Sequence, residues 1–149
     1  MLNITPACLL LAMIALGGCA TAQTSGSAPV STVESTVLLK SSTSWDGTPY
    51  DAYPVGNPEL TVLNIKIPAN TALKWHEHPM PNAAYVVSGN LTVETREGGK
   101  SIQLKPGDVL PEMVARQHRG LTGDSAVELV VFYAGTPGMP LSTNRHVKQ

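Results

Sequence analysis

Cysteine is nearly absent from this 149-residue chain: Cys8 and Cys19 are the two it has, and nothing beyond position 19 can form a disulfide. A domain built from the remainder must therefore stand on a hydrophobic core. Runs of charge of one sign are missing too. Ten basic and eleven acidic side chains, a formal net charge of −1, are scattered along the sequence and make no basic stripe for nucleic acid. No window of helical length keeps a 3.6-residue apolar period, so strands must carry the fold. A glycine-rich phosphate loop, a Gly-x-Ser-x-Gly elbow and a downstream nucleophilic cysteine are all lacking, which leaves any chemistry to some other group.

What is present begins with residues 9–18, a short apolar run ending in Leu16-Gly17-Gly18-Cys19. It is too short to span a bilayer as a helix. The run resembles the lipobox of bacterial lipoproteins. That resemblance implies cleavage before Cys19, a diacylglyceryl thioether on its sulfur and acylation of the new amino terminus. Several acyl chains, at about 0.8 kcal/mol per buried methylene, anchor a protein where one is marginal. Residues 1–6 contain no Lys or Arg, and the alternative is a conventional or uncleaved signal peptide and a periplasmic protein. Ala20 stands where many such lipoproteins carry a retaining aspartate, so the resemblance implies the outer membrane, facing the periplasm. Residues 1–18 are then the signal peptide. Residues 19–36, rich in Ser, Thr, Ala and Gly, read as a flexible tether, and residues 37–149 as the single domain.

Within the domain, residues 37–40 are a candidate first strand. The turn-rich stretch 41–58 holds Trp45, Tyr50, Tyr53 and three prolines, and its aromatics are expected to cover one side of the core. Beyond it, runs rich in Val, Ile, Leu and Thr fall at 59–67, 72–76, 83–87, 91–96, 101–104, 109–112, 118–122 and 127–133. Turn chemistry separates them: Pro68-Ala69-Asn70, Ser88-Gly89-Asn90, Glu97-Gly98-Gly99, Lys105-Pro106-Gly107-Asp108 and Thr122-Gly123-Asp124. Eight evenly spaced strands in one small domain predict an all-β sandwich or closed barrel, with residues 135–149 as an extended tail.

One of these runs ends in Trp75-His76-Glu77-His78-Pro79. On a strand, residues i and i+2 share a face, so two imidazoles would stand side by side while Trp75 and Glu77 face away. Neutral imidazole suits iron, nickel, copper and zinc, and a histidine site without thiolates usually keeps positions open for water or substrate. The stretch from Trp75 to Gly89 resembles the first motif of the cupin superfamily, and the second motif begins at Pro106-Gly107-Asp108 and ends eleven residues after Gly107, at His118. The resemblance implies a single cupin jelly-roll barrel with His76, His78 and His118 as ligands of a divalent ion, Fe, Mn, Ni or Zn. It departs at two places. Asn82 occupies the acidic ligand position, and Met113-Val114-Ala115 replaces the usual Pro-x-Gly turn before the last histidine.

An asparagine carbonyl carries no charge and is a poor substitute for a carboxylate. Glu112 offers one: counting by twos it shares a face with Leu110, although most glutamates at a strand end lie in solvent. Arg116, Gln117 and Arg119 flank the last histidine and are candidates for a barrel mouth that receives an anionic substrate. Ala83 and Ala84 leave space beside the ligands. His146 belongs to a polar tail. The resemblance implies a mononuclear metal-dependent enzyme, dioxygenase-like or an isomerase or lyase, acting on a small organic molecule. The alternative is a non-catalytic barrel that binds a small molecule or a partner. By analogy with cupins, a homodimer through Trp75 and residues 59–67 is a further expectation.

Overall fold

The computed structural model describes residues 32–144, so Cys19, the leader, most of the tether and His146 lie outside the described residues. Every described strand lies in the unit Ser35–Gln149. These are β1 (Glu59–Ile67), β2 (Asn82–Ser88), β3 (Leu91–Thr95), β4 (Ser101–Leu104), β5 (Val109–Pro111), β6 (His118–Thr122) and β7 (Val127–Gly135). No helix occurs among the described residues, as the missing 3.6 period predicts. One sheet has the order β1-β7-β2-β5 and the other β4-β3-β6, with every strand pair antiparallel.

Alternation decides what each sheet buries. In β7, Val127, Leu129, Val131 and Tyr133 point inward, and in β3 Leu91, Val93 and Thr95 do the same. The inward residues of both sheets meet in one cluster that includes Ile67, Ala84, Val86, Leu104 and Leu110. Each fully buried aliphatic side chain contributes about 1.5–3 kcal/mol, which is the source of stability the sequence leaves open to this chain. Trp45 packs on the cluster from outside, as expected of the 41–58 stretch, whereas Tyr53 is 74% exposed and covers nothing. On the outer face of β1 and β7, Leu60, Val62 and Phe132 stay exposed.

Two expected strands are not strands. Residues 37–40 form no ladder, because Val37 and Leu38 are exposed and bury too little to hold one. Residues 72–76 pair with β6 only through isolated bridges, Ala72 with Leu121 and His76 with His118. Between those bridges this segment spends four steps where β6 spends three, so one residue bulges out. The bulge shifts the parity: Leu73 and His76 face the same interior although they are three residues apart. Strict alternation from Leu73 would have put His76 outside.

The 112–118 turn is held from two sides. Trp45 N donates to Pro111 O at 2.9 Å, and Tyr50 Oη donates to Glu112 O at 2.7 Å. Asp46 accepts from Ser44 Oγ at 2.6 Å and from Thr48 N at 3.0 Å, and lies 3.3 Å from Arg116 Nη1. At the centre of the turn Ala115 has a φ of 54°, the left-handed region in which a Cβ is crowded. This is where the cupin pattern has glycine. Ala115→Gly is therefore expected to raise stability by about 1 kcal/mol, net of the extra freedom glycine gains on unfolding, measured as a shift of the urea midpoint at unchanged slope. A lower midpoint would show that the turn is not strained.

Candidate metal centre

His76 and His118 form a reciprocal backbone pair, with His76 N donating to His118 O at 3.0 Å and His118 N to His76 O at 2.9 Å. Directly opposed residues of an antiparallel pair send their side chains to the same face, so these two imidazoles stand together, their ring centroids 4.6 Å apart. His78, two residues on, regains that face. Its carbonyl accepts from Ala115 N at 2.9 Å, and its ring lies 5.0 Å from that of His76 and 5.1 Å from that of His118. One nitrogen of each ring falls within 4.8 Å of the others. The three histidines are thus positioned to bind one metal ion.

The tautomers follow from the remaining nitrogens. Nδ1 of His76 lies 2.9 Å from Lys74 O, Nδ1 of His78 2.6 Å from Leu141 O and Nδ1 of His118 3.0 Å from Arg116 O. A carbonyl only accepts, so each Nδ1 carries the proton. In the neutral ring, Nε2 is then left with its lone pair. Fixing Nδ1 on a carbonyl is also how proteins orient an imidazole toward a metal. All three carbonyls are backbone, two of them two residues before their histidine and one from the tail.

Glu112 stands beside one of the three rings. Its Oε2 is 3.0 Å from Nε2 of His118, with the histidine side chain 2% and the glutamate 13% exposed. Yet neither atom makes an aligned hydrogen bond, and both are buried polar atoms without a hydrogen-bond partner. The three imidazoles fit a divalent ion of borderline hardness, and the Glu112 carboxylate lies at the His118 side of the group. Burial holds His76 and His78 below the ordinary imidazole range, against the opposing pull of nearby carbonyls and of Glu112. Burial also disfavours charge on His118, but the Glu112 carboxylate outweighs it and raises that pKa. For Glu112, burial alone would raise the pKa; the contact with His118 and the surrounding imidazoles lower it.

A cavity of about 60 Å³ opens on these residues, and its far walls are aliphatic: Ile65, Ile67, Leu73, Leu91, Val93, Leu129 and Val131, with Gly120 and Tyr133. Asn82 is buried on the same sheet face but is absent from the cavity lining; its Nδ2 donates to Met80 O at 3.2 Å and its Oδ1 has no hydrogen-bond partner. The space beside the imidazoles comes from Gly120 rather than from Ala83 and Ala84, neither of which lines it.

The flanking cations point elsewhere. Arg119 bonds Glu94 at 2.6 Å and lies 4.4 Å over the Trp75 ring on the outside of the second sheet, and Arg116 turns to Asp46 and Thr48. Trp75 faces outward as counted, under Arg119, while Glu77 is buried, with Thr143 Oγ1 3.3 Å from its Oε1. The described part of the tail, to residue 144, is docked: Met139 and Leu141 pack on the core and Thr143 pairs with Glu77. Tyr133 escaped the sequence analysis although its signal was there, since it continues the inward series Val127, Leu129 and Val131.

No protein-family model and no curated protein matches the chain. Solved structures do. The polyketide cyclase RemF from Streptomyces resistomycificus is 16% identical over 60% of this chain and 63% of its own, with a TM-score of 0.51. The DMSP lyase DddQ from Ruegeria pomeroyi is 21% identical over 63% and 45%, with a TM-score of 0.50. Lactobacillus farciminis oxalate decarboxylase, in a formate complex, is 16% identical over 57% and 26%, with a TM-score of 0.50. The chain thus spans less than two thirds of the length of each. At these identities the likeness is one of fold, and the fold is a single cupin jelly-roll.

These shifts set how the metal-free chain responds to pH. His76 and His78, with pKa values lower folded than unfolded, withdraw stability as the pH falls through the ordinary imidazole value of about 6.5. His118, raised, contributes stability below that value and loses it as the pH rises through its folded pKa. In urea titrations of the metal-free protein, His118→Gln should therefore remove a gain in stability as the pH falls toward about 6.5 from above, and His76→Gln or His78→Gln should flatten the loss of stability below about pH 6.5. Three equal slopes would contradict this placement of charge.

Proposed function

We propose that the chain is a mononuclear metal protein in which His76, His78, His118 and Glu112 bind one divalent ion, and that it acts there as an enzyme on a small organic molecule. The observation that carries this is the state of the rings: three Nδ1 protons committed to backbone carbonyls, three Nε2 atoms turned to one point, and a buried carboxylate beside them. A structural histidine cluster has no need of three free lone pairs at one place. Glu112 supplies the charge that the cupin pattern expects at Asn82. The amide oxygen of Asn82, buried and without a partner, remains a neutral candidate ligand.

When bound, such an ion supplies Lewis-acid polarisation of a coordinated oxygen or, if it is iron, redox chemistry with dioxygen. The chain's own part is preorganisation. The carbonyls of Lys74, Arg116 and Leu141 hold the rings in place, Glu112 offsets one of the ion's two charges, and the aliphatic wall keeps bulk water away. The lyase and decarboxylase named among the similar folds make isomerase or lyase chemistry a natural class for this site, beside the dioxygenase class. A second reading, a non-catalytic ligand-binding barrel, draws on the absence of a carboxylate at position 82. The Leu16-Gly17-Gly18-Cys19 sequence supports a lipid anchor on Cys19 and an outer-membrane protein facing the periplasm.

Metal analysis of the anaerobically purified chain should find about one divalent ion per chain, falling below about 0.2 in the His76→Ala/His78→Ala double variant. A wild-type content that low would sink the metal reading. For the anchor, cells fed radiolabelled palmitate should label the wild-type chain and leave Cys19→Ala unlabelled; label on neither would exclude the lipoprotein.

A further inference from the structure

The cavity beside the histidines has properties that restrict its ligand more narrowly than the donor set does. About 60 Å³ is small. At roughly 10–15 Å³ per water-sized occupant, it holds on the order of four to six non-hydrogen atoms. A substrate with two aromatic rings is several times too large. The wall opposite the imidazoles offers only hydrocarbon, from Ile65, Ile67, Leu73, Leu91, Val93, Leu129 and Val131. An occupant with a second polar group at its far end would lose hydration there and regain nothing.

Charge narrows it further. Among the lining residues the carboxylate is Glu112 alone, and no Lys, Arg or Asp faces the cavity. Glu77, though buried, lines the neighbouring cleft with Thr95 and Arg116. A divalent ion held by three neutral imidazoles and one carboxylate leaves one positive charge uncompensated in an apolar enclosure, which is costly unless a monoanion joins it. Tyr133 supplies the last constraint. It lines the same cavity, is 5% exposed, stands with its ring 5.7 Å from that of His78, and its phenol has no hydrogen-bond partner among the described residues. A hydroxyl there has its proton free for an oxygen of the ligand.

We infer that the centre takes a short-chain aliphatic monocarboxylate of about two to four carbons, its carboxylate at the metal end within reach of the Tyr133 hydroxyl and its chain against the aliphatic wall. This rests on the metal reading above. Gly120 sets the width: a Cβ added there would lie 3.1 Å from Leu91 Cδ1 and 3.4 Å from Leu73 Cδ1, both movable side-chain ends, so alanine narrows the cavity without blocking the fold.

The test loads the full chain with cobalt(II) and follows the visible spectrum during titration with acetate, butyrate, octanoate and 1-butanol. Butyrate is expected to bind at least about tenfold more tightly than octanoate or butanol. Tyr133→Phe should weaken butyrate about five- to tenfold with cobalt affinity unchanged, and Gly120→Ala should shift the preference from butyrate toward acetate. Cobalt uptake with equal affinity for octanoate, or for butanol, overturns the proposal and leaves the metal centre standing. Equal butyrate affinity in wild type and Tyr133→Phe removes the phenol from it. Failure of the wild-type chain to take up cobalt overturns the metal reading and this one with it.

Discussion

The reciprocal backbone pair between His76 and His118 is the contact on which the rest of the site depends. It joins an irregular segment, 71–78, to the edge of the β4-β3-β6 sheet, and in the same two hydrogen bonds it brings two imidazoles onto one face. Backbone bonds of this kind contribute only about 1 kcal/mol each, but here the alternative is to leave the groups unpaired near a dry interior, which costs more. His78 and Glu112 then follow from that pair, His78 because it lies two residues along and Glu112 because the 112–118 turn must return the chain to β6. None of His76, His78 and Glu112 lies within a regular strand; each sits where a ladder has ended.

Much of this was legible in the sequence, and the limits of legibility are physical. The runs at 59–67, 101–104 and 118–122 coincide with β1, β4 and β6 because a half-buried strand writes its period of two directly into the sequence. The cupin resemblance points to the three histidines, which the structure brings together, and parity with the fully buried Leu110 points to Glu112, which lies beside His118 rather than in solvent. The bulge between Ala72 and His76 was not legible, since a single inserted residue leaves no mark on composition and yet inverts every inference from alternation beyond it. The outward course of Arg119 depends on Glu94 and Trp75, residues 25 and 44 positions away, and nothing local announces such partners.

The centre also shows how a small barrel divides its labour. Rigid parts supply walls: β1, β3 and β7 give the aliphatic face of the cavity, packed at densities that tolerate little change. Irregular parts supply chemistry, and they are steadied by polar contacts at a distance. Tyr50 holds the Glu112 carbonyl, and Asp46 ties Ser44 and Thr48 to Arg116, so the stretch before β1 braces the turn that carries the carboxylate. The strained Ala115 sits inside that brace. A loop so constrained from both sides can keep a side chain oriented without belonging to a strand.

Of the three carbonyls that fix the imidazoles, two belong to the segments that carry the rings, and the third comes from Leu141, beyond the last strand. During synthesis His76 and His78 emerge more than sixty residues before that carbonyl does. The nascent chain therefore adds more than sixty residues with two imidazoles made and one of them unlocked, and a product that stops short of Leu141 keeps it so.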